Sequence, residues 1–97
     1  MDLKSVTQDL PDQTAYRLEQ RFGELMRTNP SFRNLDAGNR QIIMNLIAKY
    51  KEELRHGIRP SRITVNEDMY KLYENRLRLN LTKIDLDQIR DLLESFK

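Results

Sequence analysis

The 97-residue chain has no cysteine, no tryptophan, one histidine, three glycines and three prolines. Without cysteine there is no disulfide frame, no thiolate nucleophile, no iron–sulfur cluster and no cysteine-ligated zinc, so stability must come from packing. No apolar run exceeds four residues, which excludes a membrane span and the apolar region of a secretory signal and makes a cytoplasmic location the expectation. The glycines are isolated from one another, so no phosphate-cradling loop is present. The single His56 makes no metal site without carboxylate partners, and none is expected near it. With no nucleophile–base constellation either, the sequence predicts no catalytic residue, no cofactor and no metal.

What the chain does have is charge and helical periodicity. Lys and Arg number 17 against 15 Asp and Glu, and 38% of the residues are hydrophobic. Leu, Ile, Val and Phe together contribute 26 of the 97 residues, enough for burial to offset chain entropy. The length fits one helical domain, 1–97, with a radius of gyration of roughly 12–13 Å. Apolar residues recur at three and four rather than at two, which is the helical period.

Pro and Gly divide this pattern into four helices. The first spans 10–28, capped by Asp9, with Pro11 in its first turn, where a missing N–H does no harm. Residues 1–9 read as a frayed or swapped arm, with Leu3, Val6 and Leu10 on one side and Pro11 interrupting any continuous join. Pro30 stops the first helix, and 31–35 make a single turn. Asp36 caps the second helix, 37–56, whose face holds Ile42, Ile43, Leu46, Ile47, Tyr50 and Leu54. Met44 and Ala48 widen that face, as expected of a central helix touching two neighbours. Gly57 suits the left-handed residue of a Schellman ending, with Ile58 folding back on Leu54, and 57–63 form a linker. Thr64 and Glu67 match a capping box for a third helix, 65–80. Thr82 or Asp85 caps the last, which buries Leu86, Ile89, Leu92, Leu93 and Phe96. The fold expected is all-α: a four-helix bundle or irregular up-and-down helical domain.

Two groups of residues are candidates for binding. The net charge is −1 over residues 1–30, +4 over 31–62 and −1 over 63–97, so the positive excess lies in the middle. There Lys49, Lys51, Arg55, His56, Arg59 and Arg62 surround Gly57 and Pro60, and such a cluster could neutralise phosphates. The same cations at a helix C-terminus also complement the helix dipole, diluted by Glu52 and Glu53. The linker is too long for a helix-turn-helix. Ser61 between Arg59 and Arg62 fits a basic-directed kinase only as a pattern common by chance.

The second group is a possible partner-binding set: Tyr16, Gly23, Arg27, Arg76 and Asn80. Tyr16 and Gly23 share an azimuth off the apolar face of the first helix, beside Gln20 and Arg27. Tyr and Arg are enriched where partners bind, and a mid-helix glycine lets a backbone come close. On a continuous third helix Arg76 falls among Val65, Met69 and Leu72, with Asn80 beside it, so a charge there must snorkel, pair or meet another chain. The acids Asp85, Asp87, Asp91 and Glu94 read as a solvated face. The function expected is a non-enzymatic helical interaction module, a regulator or adaptor docking on another protein or its own copy. The alternative is a small nucleic-acid-associated protein using 49–62.

Overall fold

A computed structural model describes the backbone of residues 3–97 and the side chains of residues 10–97. The described residues are all-α, with helices α1 (Leu3–Thr28), α2 (Pro30–Arg33), α3 (Ala37–Arg55), α4 (Arg62–Glu74), α5 (Arg76–Leu79) and α6 (Lys83–Glu94) and no strand. Helix α1 is longer than the periodicity predicts, because Pro11 lies inside it and the backbone is helical from Leu3. A proline removes one ladder donor and crowds the carbonyl four residues earlier, but intact turns on either side carry the helix through. The expected arm is therefore helical over 3–9; Met1, Asp2 and the side chains of Leu3 and Val6 lie outside the described residues.

The stops are chemical. Asn29 precedes a proline and is held extended (φ −95°, ψ 115°), as the proline ring requires of its neighbour. Its Oδ1 then accepts from the Ser31 N–H at 2.8 Å and caps α2. Asp36 caps α3 by accepting from the Asn39 N–H at 2.8 Å. At the other end of α3, Gly57 takes φ +75°, the Ile58 N–H donates to the Glu53 carbonyl at 2.9 Å and the Gly57 N–H to the Leu54 carbonyl at 3.0 Å, completing the Schellman pair. Ile58 itself stays exposed, so the expected apolar fold-back is not its main role.

The third helix differs from expectation at both ends. Ser61, not Thr64, is the N-cap: the Thr64 N–H donates to the Ser61 Oγ at 3.1 Å, so the helix starts three residues earlier and takes in Arg62 and Ile63. It breaks at Asn75, whose side-chain amide donates to the Lys71 carbonyl at 2.8 Å and competes with the ladder. After the one-turn α5, Asn80 is left-handed (φ 58°) and a second Schellman pair forms, Leu81 N–H to Arg76 carbonyl at 3.0 Å and Asn80 N–H to Leu77 carbonyl at 3.2 Å. The break turns Leu79 and Leu81 into the core.

Helix α6 opens with a full capping box between Thr82 and Asp85. The long helices run antiparallel to their neighbours, and each pairing is marked by polar links. Glu19 on α1 reaches Lys51 on α3 at 3.1 Å. On α3, Lys49 and Tyr50 reach Asp68 on α4 at 2.8 and 2.6 Å. Tyr73 on α4 donates to Asp87 on α6. Asn29 at the end of α1 donates to Asp85 and Gln88 of α6 at 2.9 and 2.7 Å. Inside this ring lies a single cluster containing Leu18, Phe22, Phe32, Ile43, Tyr50, Met69, Leu86 and Ile89. The radius of gyration is 14.4 Å and the extents are 50 × 27 × 20 Å; the 26 residues of α1 span about 39 Å at 1.5 Å each, which stretches the molecule beyond the spherical expectation.

Candidate functional site

Across the α1/α3 pair, residues of equal height are set by the Glu19–Lys51 link. On one side of that link a cavity of about 370 Å³ is lined by Asp12, Ala15, Tyr16, Glu19, Lys51 and Arg55. On the other, a smaller one of about 100 Å³ is lined by Glu19, Phe22, Met44, Ile47, Ala48 and Lys51. The two share Glu19 and Lys51 and form one groove crossed by an ion pair. Tyr16 is 59% exposed and Met44 46%; Ala48 is exposed as well.

Each of these positions follows from helix geometry. Leu18 and Phe22 point α1 at the core, and Tyr16 and Gly23 fall about 120–140° round from that direction on the α3 side. On α3, Ile43, Ile47, Tyr50 and Leu54 face inward, and Met44, Ala48, Lys51 and Arg55 follow on the edge toward α1. A Cβ built on Gly23 meets nothing within 4 Å, so no residue of the same fold fills the space its missing side chain leaves. The Tyr16 hydroxyl accepts from Gln20 at 3.1 Å.

Sequence reasoning places Tyr16 and Gly23 in one candidate group and Lys51 and Arg55 in another; the fold brings Tyr16, Lys51 and Arg55 to one cavity, with Gly23 about two turns along the same flank of α1 as Tyr16. It does not bring Arg76 and Asn80 there. Because α4 ends at Glu74, the continuous-helix azimuth does not hold for Arg76, which is exposed and donates to the Tyr73 carbonyl at 2.8 Å. Arg76 therefore lies outside the apolar face where the sequence puts it, and Asn80 is the left-handed stop of α5. Arg27 lies exposed in the last turn of α1.

The basic segment is largely engaged with its own fold. Lys49 pairs with Asp68 at 2.8 Å, Lys51 with Glu19 at 3.1 Å and Arg55 with Glu52 at 3.8 Å. His56 lies 3.0 Å from the same Glu52, so a carboxylate does stand beside it, contrary to expectation. Even so, the described residues hold no group of three or more His, Cys, Asp and Glu placed for a metal ion. Arg59 donates to the carbonyls of Phe96 and Lys97, both at 3.4 Å. Arg62 is exposed in the first turn of α4, where a cation opposes the helix dipole.

Of the four acids of α6, Asp91 is exposed as a solvated face expects, whereas Asp85 and Asp87 are tied into the fold. Asp85 is only 6% exposed. Burial raises its pKa, but hydrogen bonds from Thr82 and Asn29 outweigh that and hold the carboxyl below its ordinary value. Asp87 is held low by hydrogen bonds from Tyr73 and Arg90, and the Arg90 guanidinium also lies over the Tyr73 ring, 5.4 Å from its centroid. Asp68 shows the same balance: burial pushes upward, and donors on Lys49 and Tyr50 bring it below its usual range. Burial and the Asp68 hydrogen bond push the Tyr50 phenol far above its ordinary value.

The residues that sequence reasoning misses are Met44 and Ala48. Their signal is an apolar arc wider than one neighbour needs, read as a second buried contact; α4 does lie against α3, but on the opposite edge, through Lys49 and Tyr50. No helix among the described residues is long and apolar enough to cross a membrane. Comparison with protein-family models, curated proteins and solved structures finds no match to this chain.

Proposed function

We propose that the protein is a non-enzymatic helical interaction module, a small regulator or adaptor, that docks a partner helix in the groove between α1 and α3. The observation that carries this reading is the pair of adjoining cavities between α1 and α3, lined by the exposed Tyr16, Met44 and Ala48, with open space over Gly23 on the same flank of α1 as Tyr16. Small residues on the floor let a helix axis approach closely, and the larger ones at its edges supply apolar area to bury. A cytoplasmic setting goes with this proposal.

The alternative, phosphate binding by 49–62, is the weaker one because Lys49, Lys51 and Arg55 each have a carboxylate within 4 Å. A phosphate would have to displace those acids, and the gain from counterion release would fall accordingly. Affinity capture from native extract, with and without nuclease and with wild type beside Ala48→Arg, tests the choice. The docking reading expects a nuclease-resistant protein partner lost in the variant; capture that survives Ala48→Arg but not nuclease would overturn it.

A further inference from the structure

The charges that rim the groove are arranged so that the face matches itself, and we infer that its occupant is a second copy of this chain. This rests on the docking reading above and names its partner. Glu19 and Lys51 stand at one height on opposite sides of the groove, and Asp12, about two turns from Glu19 on α1, and Arg55, about one turn from Lys51 on α3, line the same cavity. Among the residues lining the two cavities, the acids are on α1 and the bases are on α3. A two-fold axis lying in the face and parallel to the helices carries α1 of one copy onto α3 of the other without changing height. Glu19 then meets Lys51 of the second copy, Asp12 comes within about one turn of Arg55, and each contact occurs twice, as an isologous interface requires.

The apolar floor obeys the same operation. Phe22 and Ala48 line one cavity, so Gly23, the next residue of α1, lies near the height of Ala48. The two-fold sets the bare backbone of Gly23 against Ala48 and Met44 of the second copy, where a short interaxial distance is possible. A two-fold that sets α1 on α1 at the height of Glu19 instead puts acid on acid and, across the groove, base on base. The helices overlap for about 15 residues, roughly 22 Å, and two helix widths make about 20 Å. About 450 Å² per copy is at the low end for a specific interface, so the dimer is weak and concentration-dependent.

Sedimentation velocity across a concentration series is the test, with far-UV circular dichroism to establish that every variant folds. The Glu19–Lys51 link is partly exposed, so its loss leaves the monomer intact. Wild type should be monomeric at about 5 μM and measurably dimeric by about 500 μM. Glu19→Lys places two cations at each rim contact and Lys51→Glu two anions, so either alone should weaken association at least tenfold. An equimolar mixture of the two single variants restores both contacts across the two-fold and should recover association. A wild type that stays monomeric throughout, or a mixture no better than its components, overturns the second-copy assignment. If Ala48→Arg nevertheless abolishes capture of a different protein, the docking reading stands without it; if capture is unchanged by Ala48→Arg, the docking reading itself fails.

Discussion

Replacing Gly23 by alanine should make the isolated chain more stable. Gly23 is in the middle of α1, its backbone is not left-handed, and an added Cβ meets nothing within 4 Å. With no steric cost, the change is governed by helix propensity and by the smaller unfolded ensemble, which together favour alanine by about 0.5–1 kcal/mol. For a chain of this length that corresponds to a rise in Tm of about 2–8 °C. Urea unfolding followed by circular dichroism at a few micromolar isolates the monomer, and the midpoint should rise with the denaturant slope unchanged. The companion is Gly57→Ala. Here φ is +75°, and a side chain should cost about 1 kcal/mol or more. A destabilised Gly23→Ala would refute the reasoning, since it would mean that the α1 face is already covered within the monomer. The same variant, by placing a methyl where the second copy approaches, should weaken self-association while it strengthens the fold.

Leu86→Ala, at a fully buried site, should cost about 2–5 kcal/mol, whereas Leu77→Ala, at a residue 87% exposed, should stay within about 0.5 kcal/mol in the same urea assay. Tyr50→Phe should cost about 1–2 kcal/mol by removing a donor from the Asp68 carboxylate. Asp68 has a folded pKa below its unfolded value of 3.8, so its contribution is complete above that value and is lost as pH falls through the folded pKa; a Tm profile should decline below about pH 4 and be flatter in Asp68→Asn. Fluorescence anisotropy with random duplex or single-stranded nucleic acid should show binding weaker than about 10⁻⁴ M at physiological salt. Tight binding that loses salt dependence in the triple variant Arg55→Gln, Arg59→Gln and Arg62→Gln would favour the phosphate-binding alternative.

The all-α class is legible because local signals agree: Asp36, Thr82 and Gly57 cap or end their helices as their chemistry predicts. The third helix is less so. Ser61 and Thr64 are both good caps, and which one starts α4 depends on where the buried Pro60 anchors the linker. Asn75 carries no marker in the pattern, since its back-bond to Lys71 costs the helix little by propensity alone. That single unread break misplaces Arg76 and turns an exposed surface arginine into an apparent charge on an apolar face. The site is half legible: Tyr16 and Gly23 stand out on the wheel of α1, and Lys51 and Arg55 stand out as charge. Their convergence is a tertiary fact, created by the antiparallel pairing of α1 with α3. It also explains why the cations look available in the sequence and are engaged in the fold: Glu19 and Asp68 lie 32 and 19 residues from their partners Lys51 and Lys49.

On the proposal above, the α1/α3 groove is the surface at which this protein is bound. Photo-crosslinking in native extract, with a photoreactive phenylalanine at position 16 or 44 and the same probe at position 77 as an exposed control outside the groove, addresses it directly. Protein adducts are expected from 16 and 44, including one at twice the mass of the chain, and none from 77. Equal labelling from 77, or adducts to nucleic acid alone, would contradict it.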